Sequence, residues 1–422
     1  MLRSLALHTY RDTVAIQTII IIGGGPAGLF CAIHAAGEGR RVLVLEKKPS
    51  CGRKLLITGT GQCNLTHAGE VAGFFDHYGD HGKFLRPALR SFTNRDLVAF
   101  FEEHGLSTVT EQNGKVFPES RKAADVLTLL LDECRRMGVE IRCNEPVKEV
   151  AATENGFVVR TGAVSYPADA LVVATGGVTY PATGSSGDGY AMARALGHTV
   201  TAIAPALAAV EVQDHPFADL AGISFEGLSI SLFRENKKIR EQTGDLLFTH
   251  AGLSGPGILH LSRYIAAGDV LRISFLPPTT REALAADLVE KTASNGNRLV
   301  RTVLNDYPLP DRFIRKLLHA AGIADDLTAA HLDKKARNRI VTHLIEWPLT
   351  VQAISGFDEA MVTRGGVSLD EVDPKSMTSK LVHGLYFIGE VLDIDGDTGG
   401  YNLQAAFSTA VAAARAIVRE EV

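Results

Sequence analysis

Cysteine is scarce in this 422-residue chain. There are five (Cys31, Cys51, Cys63, Cys134 and Cys143), an odd number with no C-x-x-C pair. A disulfide framework and a zinc site are therefore not expected, and a reducing cytoplasm fits. Hydrophobic runs are short, and none reaches the roughly 18 apolar residues of a spanning helix. Arg3, His8, Arg11 and Asp12 interrupt the N-terminus too often for a secretory signal. Neither sign of charge dominates, since 43 basic residues meet 48 acidic ones for a net of −5. With 22% charged and 45% hydrophobic residues, the chain is neither disordered nor a polycation built to hold nucleic acid. No sequence period is present, which removes collagen and repeat folds. Two or three ordinary globular domains remain.

Glycine, by contrast, is plentiful at 41 residues, and it gathers where strands end. Thr18–Ile22 reads as a buried strand. It runs into Gly23-Gly24-Gly25-Pro26-Ala27-Gly28 and an apolar helical stretch to about Glu38. Arg41–Leu45 reads as a second buried strand ending at Glu46. The motif Gly23-x-Gly25-x-x-Gly28 thus sits between a strand and a helix, with an acidic residue closing the next strand. Gly23 permits the tight turn, Gly25 lets backbone approach a pyrophosphate, and Gly28 allows close packing of helix on strand. The helix N-terminus offers free N–H groups to phosphate, and Glu46 can accept from ribose hydroxyls. A carboxylate there disfavours a 2′-phosphate, so FAD or NAD fits better than NADP.

Two later segments favour the flavin. The Ala170–Gly177 stretch carries LVVATGG, the strand-to-glycine turn of glutathione-reductase-like FAD proteins. Leu385–Leu403 reads LYFIGEVLDIDGDTGGYNL. There a short strand delivers Gly389-Glu390, whose carboxylate suits a ribityl chain. Gly399-Gly400 then opens a helix whose N-terminus can face the flavin pyrimidine edge. Arg53 and Lys54, in the glycine-rich loop after Glu46, are candidates for phosphate or flavin contact. No second Gly-x-Gly-x-x-Gly follows a strand, and no paired cysteines exist. The two-nucleotide disulfide reductases are therefore excluded.

The texture divides the chain. Residues 1–203 read as the first part of an FAD-binding domain, 204–280 as the first part of an inserted β domain, and 281–345 as helical. Residues 346–364 return to the β domain and 365–422 complete the FAD domain. The insertion's strand signals are Leu207–Val212, Leu228–Phe233, Leu246–Thr249, Val270–Phe275, Leu349–Ile354 and Glu359–Thr363. A final helix is expected from about Gly400 to Glu420.

The segments GRKLLITGTGQCNLTH (Gly52–His67), GLSGPGIL (Gly252–Leu259), TRGGVSL (Thr363–Leu369) and GEVLDIDGDTGGYNLQ (Gly389–Gln404) resemble the BaiN-type, or YhiN-type, NAD(P)/FAD-dependent oxidoreductases. That family is related to aminoacetone oxidase. The resemblance implies an α/β fold: a discontinuous, glutathione-reductase-like FAD-binding Rossmann domain with an inserted β-barrel-like domain and a helical subdomain. It implies FAD contacts at Gly23, Gly25, Pro26, Ala27 and Gly28, at Glu46 and Lys47, and at Arg53 and Lys54. Further contacts fall on Val147 (backbone to adenine), Thr175, Gly176, Gly389, Glu390, Gly399, Gly400, Tyr401, Asn402 and Leu403. The chain departs from the family at Thr60 and Gln62, where relatives more often carry glycine and arginine. It departs again at Asp397, a carboxylate in place of an aromatic or small residue.

No general acid or base is singled out; Asp397, Tyr401 and Tyr180 are the candidates for catalysis and for lining the substrate pocket. Cys63 lacks a resolving partner and reads as an inert thiol. The basic run Lys334, Lys335, Arg337 and Arg339 reads as a solvated helix face. The expected activity is hydride transfer between FAD and a small organic substrate, with NAD(P)H as a transient reductant of an activated C=C bond. A flavin oxidase acting on an amine or amino-ketone with O₂ stays open, as does a non-catalytic redox sensor or RNA-interacting flavoprotein. Membrane, metal and nucleic acid partners are not expected, and the oligomeric state is left open.

Overall fold

Four consecutive isoleucines, Ile19 to Ile22, are buried on both faces of the strand Gln17–Ile22. A strand without alternation demands cover on both sides, which is how parallel sheets in α/β proteins are built. A computed structural model bears this out; it describes residues 16–162, 164–277 and 279–419. The unpatterned N-terminal extension up to Ala15 and the last residue of the expected final helix, Glu420, lie outside the described residues.

The chain divides into two units. The first takes in the chain up to Val178, Ala182–Ala202 and everything from Gly365 onward. Its sheet has five strands in the order Leu385–Phe387, Ala170–Val173, Gln17–Ile22, Arg40–Leu45, Glu140–Arg142. All four pairings are parallel. The strand order reverses beside Gln17–Ile22, the crevice where doubly wound sheets bind nucleotides. The helix Pro26–Ala35 packs against the C-terminal helix Tyr401–Arg419, joining the two ends of the chain. Phe30 meets Phe407 edge-on at 4.8 Å in that contact.

The second unit holds Thr179–Pro181 and Ile203–Arg364. Strands Val210–Val212, Gly252–Ser254, Lys237–Phe248, Ser224–Arg234, Val270–Ser274 and Trp347–Ile354 close into a barrel. Its interior is aromatic, with Phe217 stacked on Phe248 at 4.4 Å and Phe275 against Phe313 at 4.5 Å. The helices Arg281–Ser294, Val300–Leu304, Asp311–Ala320 and Lys334–Ile345 contribute to this same core. Thr280 and Asp333 cap two of them, accepting from Ala283 and Ala336 N–H at 3.1 and 2.7 Å.

Three strand expectations change. Lys237–Phe248 is twelve residues long, although only its end, near Leu246, reads as strand. Its first half, KKIRE, is exposed on both faces and carries no alternation. It is held by backbone pairing to Ser224–Arg234 across a two-residue turn, Glu235-Asn236, with φ of 48° and 62°. Of the expected Leu207–Val212 only Val210–Val212 is strand; Ala204–Ala206 is a separate strand before it, and Leu207 between them breaks the extended run with φ 49°. Of the expected Glu359–Thr363 strand only Val362 and Thr363 pair, within the strand Val362–Arg364 that runs one residue further and pairs with Ala204–Ala206. Among the described residues, no helix is long and apolar enough to cross a membrane.

Candidate functional site

The glycine turn after the first strand is packed unevenly. Gly23 adopts φ 112°, and a Cβ there would lie 2.5 Å from Ala174 O, in the turn after the neighbouring parallel strand. A Cβ on Gly28 would lie 2.0 Å from Gly23 O, so the helix can seat on the strand end only without a side chain. Gly25 differs. A Cβ there would meet no protein atom within 4 Å, and its backbone is extended at φ −80°, ψ 179°. Gly25 caps the helix whose first residues are Pro26 and Ala27, with proline at the position where a missing N–H does no harm.

Glu46 closes the second strand. Its Oε2 accepts from Gly24 N–H at 2.9 Å and its Oε1 from Lys48 N–H at 2.8 Å, so the carboxylate knits the glycine turn to its own loop. Each oxygen keeps a further lone pair for a hydroxyl. Glu46 O also accepts from Glu145 N–H at 2.9 Å, which anchors the segment leading to Val147, a half-buried position between two strands. Glu46→Ala should therefore destabilise even the cofactor-free protein by about 1–3 kcal/mol, because Gly24 N–H is buried and loses its acceptor. Denaturant unfolding of flavin-stripped protein measures this, and an unchanged midpoint would refute it.

The remaining basic candidates separate. Lys47 Nζ is bound by Asp188 at 2.6 Å and by Ser186 Oγ, both in the glycine-rich segment after Thr175-Gly176. Burial works against the Asp188 carboxylate, but hydrogen bonds from Lys47 and Ser186 outweigh it and hold its pKa below the ordinary value. Lys54 Nζ reaches Glu390 at 2.8 Å, bridging 336 residues between the glycine-rich loop and Gly389-Glu390. Arg53 is exposed. Gly389, at φ 70°, lies against the first helix, where its Cβ would come 3.0 Å from Ala27 Cβ.

The C-terminal motif is the most densely bonded part. Gly399 and Gly400 adopt φ of 117° and 96° and lead into Tyr401. The amide orientation of Asn64 that satisfies both of its ends accepts Gly400 N–H at 3.1 Å. Asn402 clamps the preceding loop, accepting Gly396 N–H and donating to Gly396 O, both at 2.8 Å, while Leu403 is half-buried beside it. Tyr401 is a buried ring between two imidazoles: His77 at 4.0 Å and 15°, His67 at 5.4 Å and 17°. Burial, helped by the Asp397 charge, pushes its hydroxyl up to about 12. Asp397 Oδ2 lies 3.0 Å from His77 Nδ1, and Asp397 N–H donates to His77 O at 2.8 Å.

Asp397 and Tyr401 are thus brought together, with His67 and His77, which sequence reasoning missed. The stretch FFDHYGDH was the available signal, dense in aromatics and histidine, but nothing local links it to a residue 320 positions away. Tyr190, also missed, is buried with its hydroxyl unpartnered, and burial followed by the Glu390 and Asp393 charges raises its pKa. Tyr180 belongs to the other unit, where its N–H donates to Phe357 O at 2.9 Å. At the departure from the family pattern, Arg121 Nη1 approaches Gln62 Oε1 at 3.4 Å, so a guanidinium stands beside this position from another part of the chain. Arg121 is itself held by Glu111 at 2.7 Å.

The Rossmann sheet, its glycine turn and the order of these motifs can now be set beside known proteins. The HI0933-like protein Rossmann domain matches residues 17–416. The chain belongs to this family. The 3-dehydro-bile acid delta(4,6)-reductase of Clostridium scindens is 35% identical over 420 residues, covering 95% of this chain and 99% of that one. The ribosomal RNA dihydrouridine synthase of Escherichia coli K12 is 32% identical over 399 residues, covering 94% of this chain and 97% of that protein. Among solved structures, 3-ketosteroid delta1-dehydrogenase from Sterolibacterium denitrificans aligns with a TM-score of 0.52 at 11% identity. That alignment covers 96% of this chain and all of the other, and it is a likeness of fold.

As a member of the HI0933-like family the protein is a Rossmann-fold flavoprotein of the oxidoreductase class. Its thiols fit a role outside the chemistry. Cys63 is fully buried and its thiol is pushed up to about 12 by burial, as are those of Cys31 and Cys134. Burial and the neighbouring Cys143 raise Cys51 as well. Cys143 alone is partly exposed. Brief alkylation of the folded protein should therefore label Cys143 first, and early labelling of Cys63 would contradict its burial.

Proposed function

We propose that the first unit binds FAD and that the protein uses it to saturate a C=C bond conjugated to a carbonyl in a small organic substrate, with NAD(P)H as reductant. The observation that carries the cofactor assignment is Gly25. It is the one position of the Gly23-x-Gly25-x-x-Gly28 motif where a side chain would meet no protein atom, and open space at a helix N-terminus suits a pyrophosphate. In this reading Glu46 accepts from the adenosine ribose, the Val147 backbone meets the adenine and Thr175-Gly176 borders the same crevice. Lys54 and Glu390 hold the ribityl side, and Gly399–Leu403 faces the flavin ring. Arg53, exposed at the loop's edge, is free to meet phosphate.

Bound FAD would supply a two-electron hydride carrier. The chain's own residues supply the rest. The buried Tyr401 ring and its imidazoles make a rigid wall, and the Lys54–Glu390 pair keeps a carboxylate oriented rather than solvated. The two relatives named above support reduction over oxidation, because a delta(4,6)-reductase and a dihydrouridine synthase both saturate a ring C=C bond.

Purified protein should carry flavin, and anaerobic stopped-flow with NADH or NADPH should bleach it. Colourless protein that takes up no FAD would overturn the cofactor assignment. Flavin reduced by amines but by neither nicotinamide would favour the oxidase. A second reading, an RNA substrate, rests on the rRNA-modifying relative and on Lys334, Lys335 and Arg339, which are exposed on the helix Lys334–Ile345. Salt-dependent binding of ribosomal RNA, lost when these cations become glutamine, would support that reading.

A further inference from the structure

Resting on the reduction reading above, we propose that His77, held by Asp397, donates the proton that completes saturation of the C=C bond. Hydride delivery to one carbon of a conjugated alkene leaves an electron pair on the other, stabilised by the carbonyl. The product forms only when that second carbon receives a proton. The balance is one hydride from the bound reduced cofactor, one proton from the imidazolium, and a new C–H bond at each carbon in place of the π bond. The cofactor is left oxidised, a two-electron donor of the NAD(P)H class restores it, and solvent returns the proton to His77.

The geometry singles out this side chain. Its Nδ1 lies 3.0 Å from Asp397 Oδ2, and the two residues are also joined through backbone at 2.8 Å. Its ring lies flat against Tyr401 at 4.0 Å. Carboxylate and aromatic plane together fix the imidazole's orientation, and with Nδ1 on the carboxylate, Nε2 is the nitrogen left to serve a ligand. The His77 side chain is 39% exposed against 17% for Asp397, so the carboxylate is shielded while the imidazole stays reachable.

Asp397 faces His77 from the loop and Tyr401 from the C-terminal helix, with His67 on the far face of Tyr401. Asp76, Asp80 and His81 lie on its own segment, and His81 looks to Asp393 at 3.8 Å. Tyr401 is the rival donor. Its hydroxyl, pushed up to about 12, gives up a proton far less readily at neutral pH than an imidazolium does.

The test uses His77→Phe, which keeps a ring against Tyr401, and His77→Asn, which keeps a polar group for Asp397. Flavin content per chain is measured first. Each holoprotein is then reduced with dithionite and reoxidised anaerobically by 2-cyclohexen-1-one or by a 3-dehydro-4,6-diene bile acid, across pH. Both variants should bind FAD like wild type and reoxidise more slowly by on the order of 10²–10³-fold. Asp397→Asn removes the carboxylate that holds His77 Nδ1 at 3.0 Å, so reoxidation should slow by about tenfold with flavin content unchanged. Reoxidation of both His77 variants within about twofold of wild type would sink the donor while leaving the reduction reading intact. Loss of flavin matching the loss of rate, or an unchanged rate in Asp397→Asn, would sink it too. Wild-type holoprotein that neither alkene reoxidises would overturn the reduction reading, and the donor with it.

Discussion

Gly25→Val should yield a folded protein that purifies without flavin. The native backbone at Gly25 is extended, a conformation valine adopts without strain, and the new Cβ would find no protein atom within 4 Å. The change to the apoprotein is the weaker N-cap, about 1 kcal/mol or less when glycine is the reference. The branched side chain instead fills the space the pyrophosphate needs. Circular dichroism and the unfolding midpoint should match those of wild-type apoprotein, while flavin absorbance falls to a small fraction. Gly28→Ala is the necessary contrast, because its Cβ would come 2.0 Å from the Gly23 carbonyl oxygen. That contact forces the helix off the strand, so fold and flavin should be lost together. A yellow Gly25→Val protein would mean that the open space beside Gly25 is not where the cofactor lies.

Gly400→Ala should lower the unfolding midpoint more than any exposed glycine substitution. Two penalties coincide at this position. The backbone adopts φ 96°, outside the range open to alanine, and the added Cβ would sit 2.5 Å from the carbonyl carbon and oxygen of Thr66. Backbone cannot yield as a flexible side chain can. Strain and overpacking together suggest about 3–5 kcal/mol, or roughly 5–10 °C in a thermal melt. Gly39→Ala provides the scale, since φ is 76° there and no atom lies within 4 Å of the new Cβ. It should cost only about 1–2 kcal/mol for the left-handed backbone. Equal shifts in the two variants would show that Thr66 can retreat and that the contact does not constrain the turn.

The consequences at the site should differ as well. Gly400 precedes Tyr401, and Thr66 is tied through its hydroxyl to the buried Gln404 at 2.7 Å. Displacing Thr66 therefore disturbs both the start of the C-terminal helix and the His67 ring that covers Tyr401. Flavin retention in Gly400→Ala should drop together with stability, unlike the selective loss in Gly25→Val.

Much of this molecule is legible in the order of its residues. The unbroken isoleucine run of the first strand, the glycine turn and the acidic end of the second strand are local signals. Each follows from backbone sterics and from the double burial of parallel strands, so sequence alone determined the Rossmann sheet, its nucleotide turn and the flavin class. The polar strand Lys237–Phe248 escaped because backbone pairing with its hairpin partner, rather than hydrophobic alternation, holds it. The break at Leu207 escaped for a similar reason, since a positive φ in a non-glycine residue leaves no compositional mark.

The meetings of distant residues were decided by tertiary structure alone. Lys54 finds Glu390 and His77 finds Asp397 because the chain returns to its first helix after more than 300 residues, carrying an acidic loop onto the segments that hold Lys54 and His77. Tyr401 was a candidate from its place beside two glycines, yet its position between two imidazoles depends on His67 and His77 arriving from separate elements. Spacing within a motif reports how one stretch of backbone turns. The distance between a carboxylate and an imidazole on different segments depends on how those segments pack, and packing sums contacts that no single stretch contains.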